Sequence, residues 1–178
     1  VAGASSTGTH GSGVANVALA AGVRAISLVT AEGDLVELSR EKDPDIFHGS
    51  VLSLGALGVM THLELDMLPA FEVRQAVYLD LPAERMNSAD LRAIMSSAFS
   101  VSLFHDFDGH IAQVWVKQRV QADGRAADGV DTLPTDAASP FPETFFGATR
   151  AAGAMHPLAS LSGEFCTDQS TTPGPYFE

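Results

Sequence analysis

A single cysteine, Cys166, excludes an internal disulfide framework. Basic residues are also scarce: 10 Lys and Arg stand against 22 Asp and Glu, for a net charge of −12. That balance argues against nucleic acid or an anionic membrane surface as the main partner. It also means that any bound anion is held by local geometry rather than by the overall field. No apolar run reaches the roughly 18–20 residues of a membrane span, and no signal peptide is visible; a cytoplasmic location is the expectation. What is present is a composition 46% apolar and 18% charged, suited to a chain that buries a core. The chain opens on Val-Ala-Gly rather than Met and runs straight into a glycine-rich motif. It is therefore expected to be a fragment of a longer protein.

The glycine-rich motif is Ser5-Ser6-Thr7-Gly8-Thr9-His10-Gly11-Ser12-Gly13. Such a run reads as neither a packed helix nor a plain strand. Glycines let the backbone turn N–H groups inward as an anion nest and let a phosphate approach without a Cβ in the way. Thr7, Thr9 and Ser12 add hydroxyls. The small residues 14–22 are helix-compatible, and a helix starting near Val14 points its positive end at the same place. Two familiar loops do not fit. A P-loop needs Gly-Lys-Ser/Thr at its end, and the dinucleotide fingerprint needs G-x-G-x-x-G, whereas Gly8, Gly11 and Gly13 give G-x-x-G-x-G. A plain turn is the competing reading.

Further along, 23–30 and 35–38 read as a β-hairpin around Ala31-Glu32-Gly33-Asp34. Residues 43–59 suggest one or two short helices punctuated by Gly55 and Gly58. In 60–68 Leu63, Leu65 and Met67 alternate with His62, Glu64 and Asp66, the pattern of a half-buried strand ended by Pro69. Residues 73–81 read as another strand. Ser88 is a candidate cap for a helix whose apolar stripe is Leu91, Ile94, Met95 and Ala98. Strands at 100–107 and 111–120 flank an Asp108-Gly109 turn. Residues 121–143, rich in Asp, Ala, Gly and Pro, read as a mobile surface excursion, and the proline-rich tail 156–178 as irregular. No internal repeat is found, and a boundary is expected near Pro69-Ala70.

Val-Ala-Gly-Ala-Ser-Ser-Thr-Gly-Thr-His-Gly-Ser-Gly resembles the second flavin-binding stretch of the FAD-linked oxidases with a PCMH-type, vanillyl-alcohol-oxidase-like domain. More closely it resembles the alditol (xylitol) oxidases of the sugar-1,4-lactone oxidase group, which includes gulonolactone and arabinonolactone oxidases. Other landmarks follow in the same order: ISLVTAEGDLVELSR, LSLGALGVMTHLELDMLPAFEV, FSVSLF, QVWVKQRV, MHP, CTDQ and PGPYFE. The likeness covers nearly the whole chain except 121–143.

The resemblance implies an α+β fold. Residues 1–69 would form the second half of a PCMH-type FAD-binding domain, and 70–178 the front part of an antiparallel-sheet cap over the substrate. It implies FAD as cofactor, with Gly3, Thr7, Gly8, Thr9 and His10 at the cofactor, Gly11, Ser12 and Gly13 shaping the same loop, and Met60 near the adenine side. It implies oxidation of a polyol at a primary alcohol by hydride transfer to flavin, with O2 reduced to H2O2. The family's flavin-attaching histidine would precede Val1, and the Glu, Arg, Thr and Lys of its substrate pocket would follow Glu178. No catalytic residue is therefore expected within these residues, the piece alone is expected to be inactive, and the sequence leaves its oligomeric state open. A sugar-1,4-lactone oxidase fragment is the alternative within the class; a non-enzymatic anion-binding α/β module is the alternative outside it.

The remaining candidates read more plainly. His10 could be a base, but its place within the loop favours a backbone-contacting role. His48, His62, His105, His110 and His156 show no metal-ligand spacing, so no metal is expected. Asp106 and Asp108 fit a solvated turn better than paired-carboxylate chemistry. Trp115 fits the core of a sheet, and Cys166, with nothing basic beside it, fits a buried neutral thiol.

Overall fold

The computed structural model describes all residues except Asp106, Asp108, 127–132, Ala159, Asp168, Ser170, Phe177 and Glu178. The fold is α+β, with antiparallel sheets and few helices. The chain divides into two compact units, one made of Val1–Gly11 with Val17–Pro69, the other of Ser12–Asn16 with Ala70–Glu178. No helix among the described residues is long and apolar enough to cross a membrane.

The first unit begins with a five-residue helix, α1 (Ala2–Ser6). Its sheet has the order β2-β1-β3, built from β1 (Val23–Val29), β2 (Leu35–Ser39) and β3 (Val59–Leu65). The hairpin closes where the sequence places it. Thr30 N–H donates to Asp34 O at 2.9 Å and Gly33 N–H to Thr30 O at 3.0 Å, with Gly33 at φ 90°. Helix α2 (Pro44–Val51) packs Phe47 and Val51 against Val23, Ile26 and Leu28. Pro44 opens that helix at a position whose N–H has no intrahelical partner in any case.

In β3 the alternation is broken by a register shift opposite Ser27 and Leu28. Thr61 is the extra residue, so Met60 joins Leu63 and Leu65 on the core side. Met67, expected on that face, lies past the strand end and is exposed. Arg40 ties the end of this sheet, its guanidinium donating to Asp66 Oδ2 at 3.0 Å and to the Ala21 and Val23 carbonyls at 2.9 and 2.5 Å.

The second unit is built on a six-stranded sheet. Its strands are β4 (Glu72–Leu81), β5 (Ser100–His105), β6 (Ile111–Val120), β7 (Thr144–Phe145), β8 (Ala148–Arg150) and β9 (Gly174–Pro175). Five run in the order β5-β6-β4-β8-β7, and β9 pairs with β4. Helix α3 (Ser88–Met95) covers it with Ile94 fully buried. The cap of α3 is Asn87 rather than Ser88: its side chain accepts from Ala89 N and Asp90 N at 3.1 and 3.0 Å. An amide one residue earlier reaches the first free N–H groups, so Ser88 becomes the first helical residue.

Two other expectations are corrected. Residues 14–22 form no α-helix; the described structure there is a turn and a short 3-10 helix at Leu19–Gly22. Asn16 takes the place of a helical residue. Its side-chain amide donates to Ser12 O and Phe99 O at 2.9 and 3.0 Å, and its main-chain N–H closes a turn on Gly13 O. The stretch 121–143 is a surface excursion only in part: 121–125 are exposed, but the later residues turn inward. Leu133, Ala137 and Phe141 are buried in the sheet's core. The part expected at 127–132 lies outside the described residues.

Arg74 explains why that stretch is inside. It is 1% exposed, and every N–H of its guanidinium has an acceptor. Nε and Nη2 donate to Gln118 Oε1 at 3.0 and 2.8 Å. Nη1 donates to the carbonyls of Ala137 and Ser139 at 2.8 and 2.6 Å, and Nη2 to that of Pro134 at 3.2 Å. The cation also lies 4.6 Å from the centre of the Phe141 ring. Burial pushes its pKa below the usual arginine value, only partly opposed by Asp136. Tyr78 continues the same edge: its hydroxyl donates to Pro142 O at 3.0 Å, and burial pushes its pKa up.

A lysine at position 74 keeps the charge but replaces a planar fork by one ammonium. Arg74→Lys is expected to lower the unfolding free energy by roughly 2–4 kcal/mol, read as a lower urea midpoint of the purified protein. An unchanged midpoint would show that the guanidinium does not hold 133–141.

Candidate functional site

The glycine-rich segment is the place to build from. Helix α1 takes in Ser5 and Ser6, so the run is not wholly loop. What stops the helix is Gly8, at φ 72°. Thr9 N–H donates to Ala4 O at 3.1 Å and Gly8 N–H to Ser5 O at 3.4 Å, the double closure of a Schellman motif with glycine in the left-handed position. Thr7 N–H is likewise taken, by Gly3 O at 3.2 Å, and the Thr7 hydroxyl turns back to Gly3 O at 3.0 Å. The N–H groups of Thr7, Gly8 and Thr9 are therefore spent on the helix end and do not form an inward-facing nest. Those of His10 and Gly11 have no main-chain partner among the described residues.

Beside α1 lies a pocket of about 330 Å³ within the first unit. It brings together three of the sequence-predicted residues, Gly3, Thr7 and Met60, from segments nearly sixty positions apart. Ser6 and Ser53 add hydroxyls, and Leu28 and Leu54 add apolar surface. No titratable side chain is among the lining residues. Gly8 and Thr9 lie just outside: a Cβ on Gly8 would stand 3.5 Å from Leu52 Cδ2, and Thr9 Oγ1 is 3.3 Å from Thr7 Oγ1. His10 is exposed and its Nδ1 is 3.1 Å from Gly11 O.

Ser12 and Gly13 are not gathered there. They belong to the second unit, where Ser12 Oγ bonds Ser100 Oγ. A Cβ on Gly13 would collide with Phe99 O.

The other lining residues were not assigned to the site from sequence, and among them Leu54, Gly55 and Gly58 shape the wall. Leu54 has φ 53° and Gly55 φ 78°, a left-handed pair closed by Ala56 N–H to Ser53 O at 2.8 Å. A leucine there is strained. Its own N–H donates to Ser6 O at 3.3 Å, which holds the turn against α1. Gly58, at φ 144°, runs so close to β1 that a Cβ would strike the Val29 carbonyl. The paired glycines of Gly55-Ala56-Leu57-Gly58 were the available signal for a close backbone approach.

Elsewhere, Trp115 is 5% exposed and donates to Gln113 Oε1 at 2.7 Å. Cys166 is half-buried rather than buried. Asp106 and Asp108 lie outside the described residues.

No protein-family model matches the chain. Individual relatives do. It is 41% identical to an alditol oxidase of Streptomyces sp. strain IKD472 over 179 aligned residues, covering 100% of this chain and 38% of that enzyme. The chain is a relative of the alditol and sugar-1,4-lactone oxidases. It is 37% identical over 73 residues to a D-arabinono-1,4-lactone oxidase of Eremothecium gossypii, across 41% of this chain and 14% of that enzyme. It is 31% identical over 102 residues to an L-gulonolactone oxidase of Scyliorhinus torazame, across 57% of this chain and 23% of that enzyme. The resemblance read from the sequence stands, and the chain spans well under half the length of each of these relatives.

The glycines separate by what surrounds them. Gly58→Ala and Gly8→Val are expected to lower the thermal midpoint by several degrees, since a loss of about 1 kcal/mol shifts it by roughly 2–8 °C depending on chain size. Gly11→Val is expected to leave it unchanged, because a Cβ there meets nothing within 4 Å. Differential scanning fluorimetry of the three variants decides; equal shifts would remove the distinction.

Proposed function

We propose that the chain is a segment of an FAD-dependent oxidase that oxidises a polyol, an alditol such as xylitol or sorbitol, at a primary alcohol with O2 as acceptor. In this reading the first unit is the second half of a PCMH-type FAD-binding domain, and the second unit is the front of the cap. The observation that carries it is the reach of the similarity. The alditol oxidase matches 100% of the chain, whereas the lactone oxidases compared with it match 41% and 57%.

The first unit's pocket supports the cofactor assignment. Gly3, Gly55 and Gly58 keep the wall low, so a ligand can come close to the main chain. The hydroxyls of Ser6, Thr7 and Ser53 offer hydrogen-bond donors, and no carboxylate lines the pocket to repel a pyrophosphate. Leu28, Leu54 and Met60 suit a flat ring face. These residues would hold part of FAD, with Gly8, Thr9, His10 and Gly11 continuing along the same unit's loop. When bound, FAD supplies the hydride acceptor, and O2 regenerates it with release of H2O2. The chain's own residues bind and orient; none of them is assigned to proton transfer.

The full-length protein, purified, is expected to be yellow and to release H2O2 with xylitol or sorbitol at a higher kcat/KM than with gulono-1,4-lactone. Turnover confined to the lactone would overturn the polyol reading, and a colourless protein the flavin reading. His10→Ala is expected to lower the flavin-to-protein ratio while leaving flavin reduction in loaded enzyme within about tenfold. A base at that position would instead cost roughly 10²–10⁴ in rate. Anaerobic single-turnover reduction separates the two.

A further inference from the structure

Along β4 the edge of the second sheet is interrupted. β8 pairs with it at Tyr78 and Leu79, and β9 at Glu72 and Val73. Against residues 74–77 no strand lies on that side among the described residues. A pocket of about 370 Å³ adjoins this gap, lined by β4, Arg150, the run Ala151–Ala154, Gln169 and Thr171.

The lining is rich in unspent donors. Arg150 Nε is buried with no hydrogen-bond acceptor, the costly state for a cationic N–H. Its Nη2 pairs with Glu143, whose side chain is 76% exposed and free to swing into solvent. The main-chain N–H groups of Ala152, Gly153 and Ala154 have no partner among the described residues. All three residues are exposed, and their small side chains leave the N–H groups open to water or to a ligand.

The loop that carries them is held in place rather than floppy. Ala151 N–H donates to Val77 O at 2.8 Å. The Gln169 amide clasps Met155 from both sides, accepting from its N–H at 2.8 Å and donating to its carbonyl at 2.5 Å. Gly163 packs so tightly on Ala154 that a Cβ would strike its carbonyl.

We propose that this pocket binds a small carboxylate. The Arg150 guanidinium pairs with a carboxylate, the unpartnered main-chain N–H groups beside it add neutral donors, and Thr171 adds a hydroxyl. A singly charged ligand suits a chain of net charge −12 better than a multiply charged one. Binding takes the Nη2 edge of Arg150 from the exposed Glu143 carboxylate, and Nε, which is enclosed, gains an acceptor only as the guanidinium turns toward the ligand. The inference stands apart from the flavin reading, since its test needs no turnover.

The test is isothermal titration of the full-length protein with D-gluconate, a carboxylate carrying hydroxyls. Saturable binding with a dissociation constant of about 1 mM or below is expected. Gly153→Asp puts a like charge at the mouth without touching the fold, since a Cβ there meets nothing within 4 Å. It is expected to weaken binding by at least about tenfold at an unchanged thermal midpoint, as is Arg150→Gln. Gly153→Ala is expected to bind as wild type. No saturable binding, or binding that survives both Gly153→Asp and Arg150→Gln, would overturn the proposal.

Discussion

A guanidinium that is 1% exposed must find an acceptor for each N–H, because an unpaired buried charge costs more than a domain's whole margin of stability. Arg74 meets that demand with neutral oxygens alone: one side-chain amide across the sheet and three carbonyls from a stretch some sixty residues later. Carbonyls are obligatory acceptors in a fixed direction, so the chain from Pro134 to Ser139 has few places to go. Phe141, under the same cation, then fills the core, and Tyr78, four residues further along β4, fixes Pro142. The short β7–β8 hairpin starts from that anchored point. Much of the second unit's shape beyond β6 thus follows from one desolvated charge on β4.

Local signals made the sheets legible. The hairpin at 23–39 announces itself by β-branched runs either side of a glycine turn, and both strand and turn decisions lie within a few residues. The helix at 88–95 is equally local; its cap moved by one residue, to Asn87, and it ends at Met95, leaving Ala98 to reach the core from beyond the helix. The stretch 121–143 was illegible for the opposite reason. Its composition is that of a loop, and only Arg74's need for distant acceptors brings Leu133, Ala137 and Phe141 inside. Residues 14–22 failed differently: small side chains permit a helix, but Asn16 spends its amide on Ser12 and Phe99 carbonyls.

For the candidate site, residue type was legible and arrangement was not. Gly3, Thr7 and Met60 line one pocket. Gly8 was read as room for a ligand, whereas its φ and its hydrogen bonds show a helix stop. Both uses exploit the same missing Cβ, and a sequence cannot say which applies. Leu54 was invisible because leucine carries no signal for a left-handed backbone; the turn is imposed by Ser53, Gly55 and the Ser6 carbonyl.

The hydrogen-bond chain at the sheet's centre has an optical consequence. The chain has one tryptophan, and its indole N–H is bound to Gln113, whose amide in turn holds the His156 carbonyl at 3.0 Å. Indole emission depends on how its N–H is solvated. The fluorescence of this chain therefore comes from a single chromophore wired, through one amide, to the loop after Ala151. Detachment of that loop would free the amide, and water reaching the indole would shift its emission to the red, so one spectrum would report on the loop's attachment.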